Sequence, residues 1–248
     1  MEEIFPEESE EDFYSEKVLE ESMEDDEINS IEEGFMMGYL KWFYFFIITN
    51  YIYPFLFLRI MRILNIEELN QEKQSIIDLI INGAVFIYPT DTIYGIGCNA
   101  ENSSAVKKIR HLKSRTSNPF SVIAPSLGWV KENCIATKQG EEWLEKLPGP
   151  YTLIFKIKKN CVAKEVNPKL NTLGIRIPNH WIRKIVEEAD VPVVTTSVNR
   201  SNEDYMTSLE DLDSSIKGGV DLVLYEGKKE GKPSKIIDLT ENVRVIER

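Results

Sequence analysis

The chain has 248 residues and a formal net charge of −12, which is unevenly spread: residues 1–60 carry 16 acidic residues against three basic ones, and residues 61–248 carry 25 acidic against 26 basic. That length holds one large domain or a domain with an appendage, and a near-neutral body excludes a general nucleic-acid binder while allowing an anionic ligand on a local group of cations. Three scattered cysteines (Cys98, Cys134, Cys161) and two histidines, with no CxxC or Cys/His ligand spacing, exclude a disulfide scaffold or structural zinc site and fit free thiols in a reducing cytoplasm.

Residues 1–34 are rich in Glu, Asp and Ser and poor in core formers, so the expectation is a disordered acidic tail. Residues 35–60 then turn apolar, with 17 uncharged residues from Trp42 to Leu58. Three readings of this segment stand open. It is a short membrane anchor, with Arg59 and Arg62 holding the C-terminal body on the cytoplasmic side. It is a helix packed on the body. Or residues 1–60 are an extension outside the working protein, because Met61 opens a stretch that reads as the start of a compact domain.

From Met61 onward, α and β patterns alternate. Apolar spacing predicts a helix over 66–82, with Gly83 past its end, and a strand over 85–88. Residues 89–98 read as a loop carrying Thr90, Asp91, Thr92 and Tyr94 and closing on Gly95 and Gly97. Ser103 or Ser104 caps a helix to Leu112. Further strands are expected at 121–124, 151–157, 173–177, 191–196, 222–225, 235–239 and 243–246, and further helices at 129–134, 140–147, 181–188 and 208–216. The sum is an α/β domain over 61–248 with a twisted, mixed β-sheet.

Four places carry chemistry. The strand-to-loop run GAVFIYPTDTIYGIGC at 83–98 delivers hydroxyls and a carboxylate into a glycine-bearing loop. Lys113 and Arg115 offer a point charge and a planar fork to a phosphate or carboxylate. Arg176 lies in an apolar strand, opposite in face to Ile175 and Ile177, and once covered it needs an anionic partner. The strand ending TTSVN at 195–199 places Ser197 and Asn199 two residues apart beyond a strand end. A P-loop, a full dinucleotide fingerprint, GxSxG and HExxH are all missing from the sequence.

PTDTIYG at 89–95, K-S-R at 113–115, PGPYT at 148–152, GIRIPNH at 174–180, TTSVN at 195–199 and PSKIIDL at 233–239 stand in the order of the YrdC-like family, and residues 61–248 resemble its single-domain TsaC type. The resemblance implies a twisted mixed sheet with flanking helices around a basic cavity. It implies an L-threonylcarbamoyladenylate synthase: a nucleotidyltransferase that makes threonylcarbamoyl-AMP and pyrophosphate from L-threonine, bicarbonate or CO2, and ATP with Mg²⁺. The product would feed a downstream tRNA threonylcarbamoyl transferase complex in the cytoplasm.

By that resemblance Lys113 and Arg115 are catalytic and touch ATP. Thr90, Thr92, Tyr94, Arg176, Ser197 and Ser234 bind L-threonine. Thr172, Ser197, Asn199, Thr207 and Arg248 bind ATP. The pattern departs from the family at Thr116 (frequently proline), Asn202 (glycine) and Lys235 (threonine). A second reading keeps the fold and cavity but makes the chain a non-catalytic protein that binds nucleotide or RNA, tRNA or double-stranded RNA among them.

Overall fold

The structure, a computed structural model, describes residues 61–246 except Leu170 and Asn202, together with Gly38 and Lys41. The chain divides into two units, Met1–Ile60 and Met61–Arg248. The expected acidic tail lies outside the described residues, and so does the apolar segment apart from Gly38 and Lys41; Arg248 lies outside them too. Among the described residues no helix is long and apolar enough to cross a membrane.

Eleven strands of the second unit form one mixed sheet: β1 (Arg62–Leu64), β2 (Phe86–Tyr88), β3 (Gly95–Gly97), β4 (Ser121–Ile123), β5 (Cys134–Ile135), β6 (Tyr151–Ile157), β7 (Thr172–Arg176), β8 (Val193–Ser197), β9 (Leu222–Leu224), β10 (Lys235–Asp238) and β11 (Arg244–Ile246). Their order is β1-β9-β2-β3-β8-β4-β7-β6-β10-β11, with β5 added beside β6. At the centre β3/β8, β4/β8 and β6/β7 run antiparallel, while β4/β7 and β6/β10 run parallel. The described helices are α1 (Ile66–Gln71), α2 (Lys73–Ile81), α3 (Ser103–Leu112), α4 (Leu127–Asn133), α5 (Lys138–Leu144), α6 (Ile182–Ala189) and α7 (Ser214–Lys217).

Period-2 alternation splits the strands between two cores. Phe86, Tyr88 and Val193 pack with Ile76, Ile77 and Ile80 of α2 and Ile182, Ile185 and Val186 of α6. Ile87, Ile96, Val122, Ile175 and Val194 face the larger cluster with Val106 and Ile109 of α3. Each aliphatic side chain buried completely in this way contributes about 1.5–3 kcal/mol.

Local chemistry moved several expected boundaries. The helix expected over 66–82 is two helices. Asn65 and Glu68 form a capping box at the start of α1, and the chain leaves helical geometry at Glu72, whose carboxylate meets Arg62 at 2.6 Å. The helix expected over 208–216 is a 3₁₀ turn (Leu209–Asp211) and the short α7. Asp211 accepts from the amides of Thr207 and Ser208, and Asp213 from those of Ser215 and Ile216, so each carboxylate caps the start of a short turn of its own and the expected helix is divided between them. The cap of α3 is Asn102, not Ser103 or Ser104; its side chain accepts from the Ala105 amide.

Candidate functional site

The sheet register sets small and polar residues side by side on one face of the central strands. Gly95 pairs with Ser197, Thr195 with Ser121, and Ser121 with Gly174. Further along the sheet, Ile236 pairs with Thr152. Above this face opens a cavity of about 300 Å³, lined among others by Tyr94, Arg115, Ser121, Thr152, Arg176, Thr195, Ser197 and Ser234. Gly174 keeps this face open: a Cβ there would stand 2.5 Å from Ser121 Oγ and would force that hydroxyl to shift.

Arg176 ends β7 inside the protein, 6% exposed. Its Nη2 donates to Asp91 Oδ1 at 2.9 Å and to Thr92 Oγ1 at 3.1 Å, while its buried Nε has no hydrogen-bond partner. The anionic partner that the sequence demanded is therefore supplied from within the chain. Burial pulls the guanidinium pKa down and Asp91 opposes that pull. Asp91 Oδ2 also accepts from the Asn179 amide at 3.0 Å, which ties the 89–95 loop to the turn after β7. Within that loop the Thr90 hydroxyl meets Thr92 Oγ1 at 3.0 Å and donates to the Ile93 carbonyl at 2.7 Å.

Tyr94 donates to the Gly227 carbonyl at 2.7 Å and accepts from the Glu226 amide at 3.1 Å. Burial pushes its phenol up to about 12, so it stays a neutral donor. Its ring stacks on Tyr225 with centroids 5.7 Å apart. Glu226 is itself gripped by His180 at 3.1 Å, Trp181 Nε1 at 2.9 Å and Lys229 at 2.5 Å. The segment after β9 is thus latched beside the loop that carries Tyr94.

Lys113 and Arg115 separate in role. Arg115 lines the cavity, donates from Nη2 to the Pro119 carbonyl at 2.7 Å, and lies over the Phe120 ring at 5.0 Å. The Lys113 ammonium is buried and turned to the end of β8. It donates to the Ser197 carbonyl at 2.5 Å, the Asn199 carbonyl at 2.6 Å and Asn199 Oδ1 at 3.0 Å. Its own carbonyl accepts from both the amide and the hydroxyl of Ser201 at 3.1 Å. Burial first and Arg115 second lower its pKa to about 7. Ser197 Oγ completes the knot by donating to Asn199 Oδ1 at 2.7 Å.

Of the residues singled out in the sequence, Tyr94, Arg115, Arg176, Ser197 and Ser234 share the cavity wall. Thr90, Thr92, Lys113 and Asn199 join it through hydrogen bonds to those side chains or to each other. Thr172 does not: it lines a second cavity of about 670 Å³ with Lys164, Asn167 and Lys169. The Thr207 hydroxyl bonds Asp211 Oδ2 at 2.5 Å and is not in the wall of either cavity. Sequence reasoning missed Thr152, Thr195 and Ser121. Thr152 stands in the PGPYT stretch and Thr195 in TTSVN, so the signal was present; Ser121 had none. Among the described residues no group of three acidic, His or Cys side chains could hold a metal ion.

A mixed sheet that carries a cavity walled by two arginines and a set of hydroxyls places the protein in the α/β class. Residues 78–248 match the Sua5/YciO/YrdC family, described as telomere recombination, and the chain belongs to that family. It is 35% identical over 192 residues to a Methanocaldococcus jannaschii protein assigned by name as a threonylcarbamoyl-AMP synthase, covering 73% of this chain and 89% of that one. It resembles P. abyssi Sua5 complexed with L-threonine (28% identity, TM-score 0.66), covering 73% of this chain and 55% of that one. The chain thus spans little more than half the length of that Sua5. E. coli YciO shares the fold at 23% identity and TM-score 0.68, covering 76% of this chain and 96% of that one.

Proposed function

We propose that this chain is a threonylcarbamoyl-AMP synthase. The observation that carries the reading is the convergence of Arg176, Arg115 and the β8 hydroxyls on one cavity from three separate stretches of sequence. A buried guanidinium already braced by Asp91 suits the carboxylate of an amino acid, because its direction is fixed before the ligand arrives. Thr92, Tyr94, Ser197 and Ser234 surround the same ligand, and Thr90 holds Thr92 in place. The substrate is L-threonine, as in the complex known for P. abyssi Sua5.

The chemistry follows from the groups present. The threonine amine adds CO2, from bicarbonate, to give an N-carboxylate. One of its oxygens attacks the α-phosphorus of ATP, and the bond to pyrophosphate breaks. Little covalent help is needed; the protein must hold the nucleophile in line and meet the charge that develops on phosphorus. Arg115 supplies that charge at the cavity wall. Lys113 acts through the turn it clamps, keeping Ser197 and Asn199 between amino acid and nucleotide. Thr172, Gly174 and Arg176 alternate onto one face of β7, so the nucleotide extends from the Arg176 end toward Thr172, with Thr207 and Arg248 as further contacts. Mg²⁺ would be carried by the phosphates of ATP and would share the charge that Arg115 meets, because the cavity wall presents guanidinium and hydroxyl groups and no carboxylate. The cytoplasm is the site of action, and a tRNA threonylcarbamoyl transferase complex takes the product.

The test is pyrophosphate release by the full chain with ATP, Mg²⁺, bicarbonate and L-threonine. Release that depends on both threonine and bicarbonate supports the reading. No release from a protein that still retains tRNA overturns it in favour of a non-catalytic RNA-binding relative.

A further inference from the structure

Helix α3 ends in a turn that sends Lys113 and Arg115 different ways. Ser114 takes left-handed geometry there, with φ 50°. Two backbone bonds close the turn: the Ser114 amide donates to the His111 carbonyl at 3.0 Å, and the Arg115 amide to the Arg110 carbonyl at 2.9 Å. Arg110 then returns to the same residue with its side chain. Its Nη1 donates to the Arg115 carbonyl at 3.1 Å, so one neighbour holds Arg115 by both its amide and its carbonyl.

The rest of the Arg110 guanidinium is held by backbone as well. Nη1 and Nη2 donate to the Asn118 carbonyl at 3.2 and 3.3 Å, Nη2 to the Val166 carbonyl at 3.3 Å, and Nε to the Glu165 carbonyl at 2.6 Å. A guanidinium has five N–H groups, and these five bonds match them one for one. They join two stretches, the loop after α3 and the 3₁₀ turn Lys164–Val166. The Val166 carbonyl also accepts from the Phe120 amide at 2.9 Å. Arg110 lies 4.5 Å from the centroid of the Phe120 ring, over which Arg115 lies too. The Pro119 carbonyl and the Phe120 ring, against which Arg115 rests, thus belong to the stretch that Arg110 pins. Arg110 itself is in the wall of neither cavity.

We propose that Arg110 is a positioning residue: it sets the direction of the Arg115 guanidinium without touching a ligand. This rests on the synthase reading for what Arg115 does and adds what holds Arg115 in place. Misplacing a reacting group by about 1 Å costs up to about 10²-fold in rate, even when the change lies far from the chemistry. Lysine does not replace Arg110, because its three donors leave from one point and do not span both stretches.

The test uses the full chain carrying Arg110→Lys or Arg110→Gln, each alone and combined with Arg115→Ala. Each single variant should lower kcat for threonine-dependent pyrophosphate release about tenfold and leave the Michaelis constant for threonine unchanged. In the Arg115→Ala background the same changes should cost nothing further, because the group they misplace is gone. Amide hydrogen exchange should quicken in peptides covering 113–120 and 164–166 and stay unchanged in α2. An unaltered kcat in both single variants, an equal loss with and without Arg115, or unchanged exchange over 113–120 overturns the proposal. Exchange is read without turnover, so the two readings fail separately. An unaltered protein that releases no pyrophosphate removes the synthase reading, and exchange then decides the positioning role alone. Release that Arg110→Gln leaves at its full rate removes the positioning role and keeps the synthase.

Discussion

The two ends of β7 are built on opposite plans. At Arg176 the strand runs into a cavity of about 300 Å³, where a buried guanidinium is held by Asp91 and Thr92. At Thr172 it borders a cavity of about 670 Å³ lined by asparagines and two lysines. The first end has already met the desolvation of its charge through an internal ion pair, so what remains is a directional contact in a small space. The second keeps its cations partly in water, where they attract an anion but fix little. Under the proposed function, one strand would offer a selective end to the amino-acid carboxylate and a permissive end to the nucleotide.

That contrast breaks most sharply at Arg115, which lines the small cavity. Arg115→Ala should lower turnover by about 10²-fold or more in a pyrophosphate assay, as loss of a group facing transition-state charge does. An unchanged rate would move the reacting phosphate away from the small cavity. Arg176→Ala comes next. It should raise the Michaelis constant for threonine by about ten- to a hundredfold with less effect on that for ATP. It should also leave the Asp91 carboxylate without its partner and lower stability by about 3–5 kcal/mol in urea titrations. The double variant with Asp91→Asn should recover part of that loss.

Lys113 sharpens the comparison through pH. Its pKa in the fold is about 7 against an ordinary 10.5, so between those values the folded protein binds fewer protons than the unfolded chain. Its contribution to stability is therefore constant below about 7, rises with pH from there to 10.5, and levels off above. The difference in unfolding free energy between the unaltered protein and Lys113→Met, measured at pH 7 and pH 9, isolates this slope from that of the three cysteines, whose thiols burial pushes up in the fold. At the permissive end the smallest effect is expected: Thr172→Val should raise the Michaelis constant for ATP only a few-fold and leave that for threonine alone.

What the sequence disclosed depended on how local the signal was. The strand at 151–157 was read to the residue, because Leu153 and Phe155 alternate with Thr152 and Ile154 at the period of a pleat. Strand β3 stands where the sequence pattern reads as a loop. Its two glycines look like a turn, yet Gly97 is required by proximity: a Cβ there would stand 2.0 Å from the Val194 carbonyl of the neighbouring strand. Such a constraint belongs to the partner strand, 97 positions away in sequence. The same holds for the site. That Arg176 needed an anion was legible from its apolar strand, but that Asp91 supplies it was not, since the two are 85 residues apart. Lys113 was recognised as a cation, and only the fold shows it turned to three oxygens of the Ser197–Asn199 turn. The acidic stretch 1–34 and most of the apolar stretch 35–60 keep the expectations drawn from composition, because they lie outside the described residues.

The central claim is that one cationic cavity sets a carboxylated amino acid against the α-phosphate of a nucleotide. Its most direct test is mass spectrometry of the products formed by the full chain from ATP, L-threonine and isotopically labelled bicarbonate. The account predicts threonylcarbamoyl-AMP carrying the bicarbonate carbon, with pyrophosphate in equal amount. Threonyl-AMP without the label, or no threonine-dependent nucleotide product at all, would contradict it.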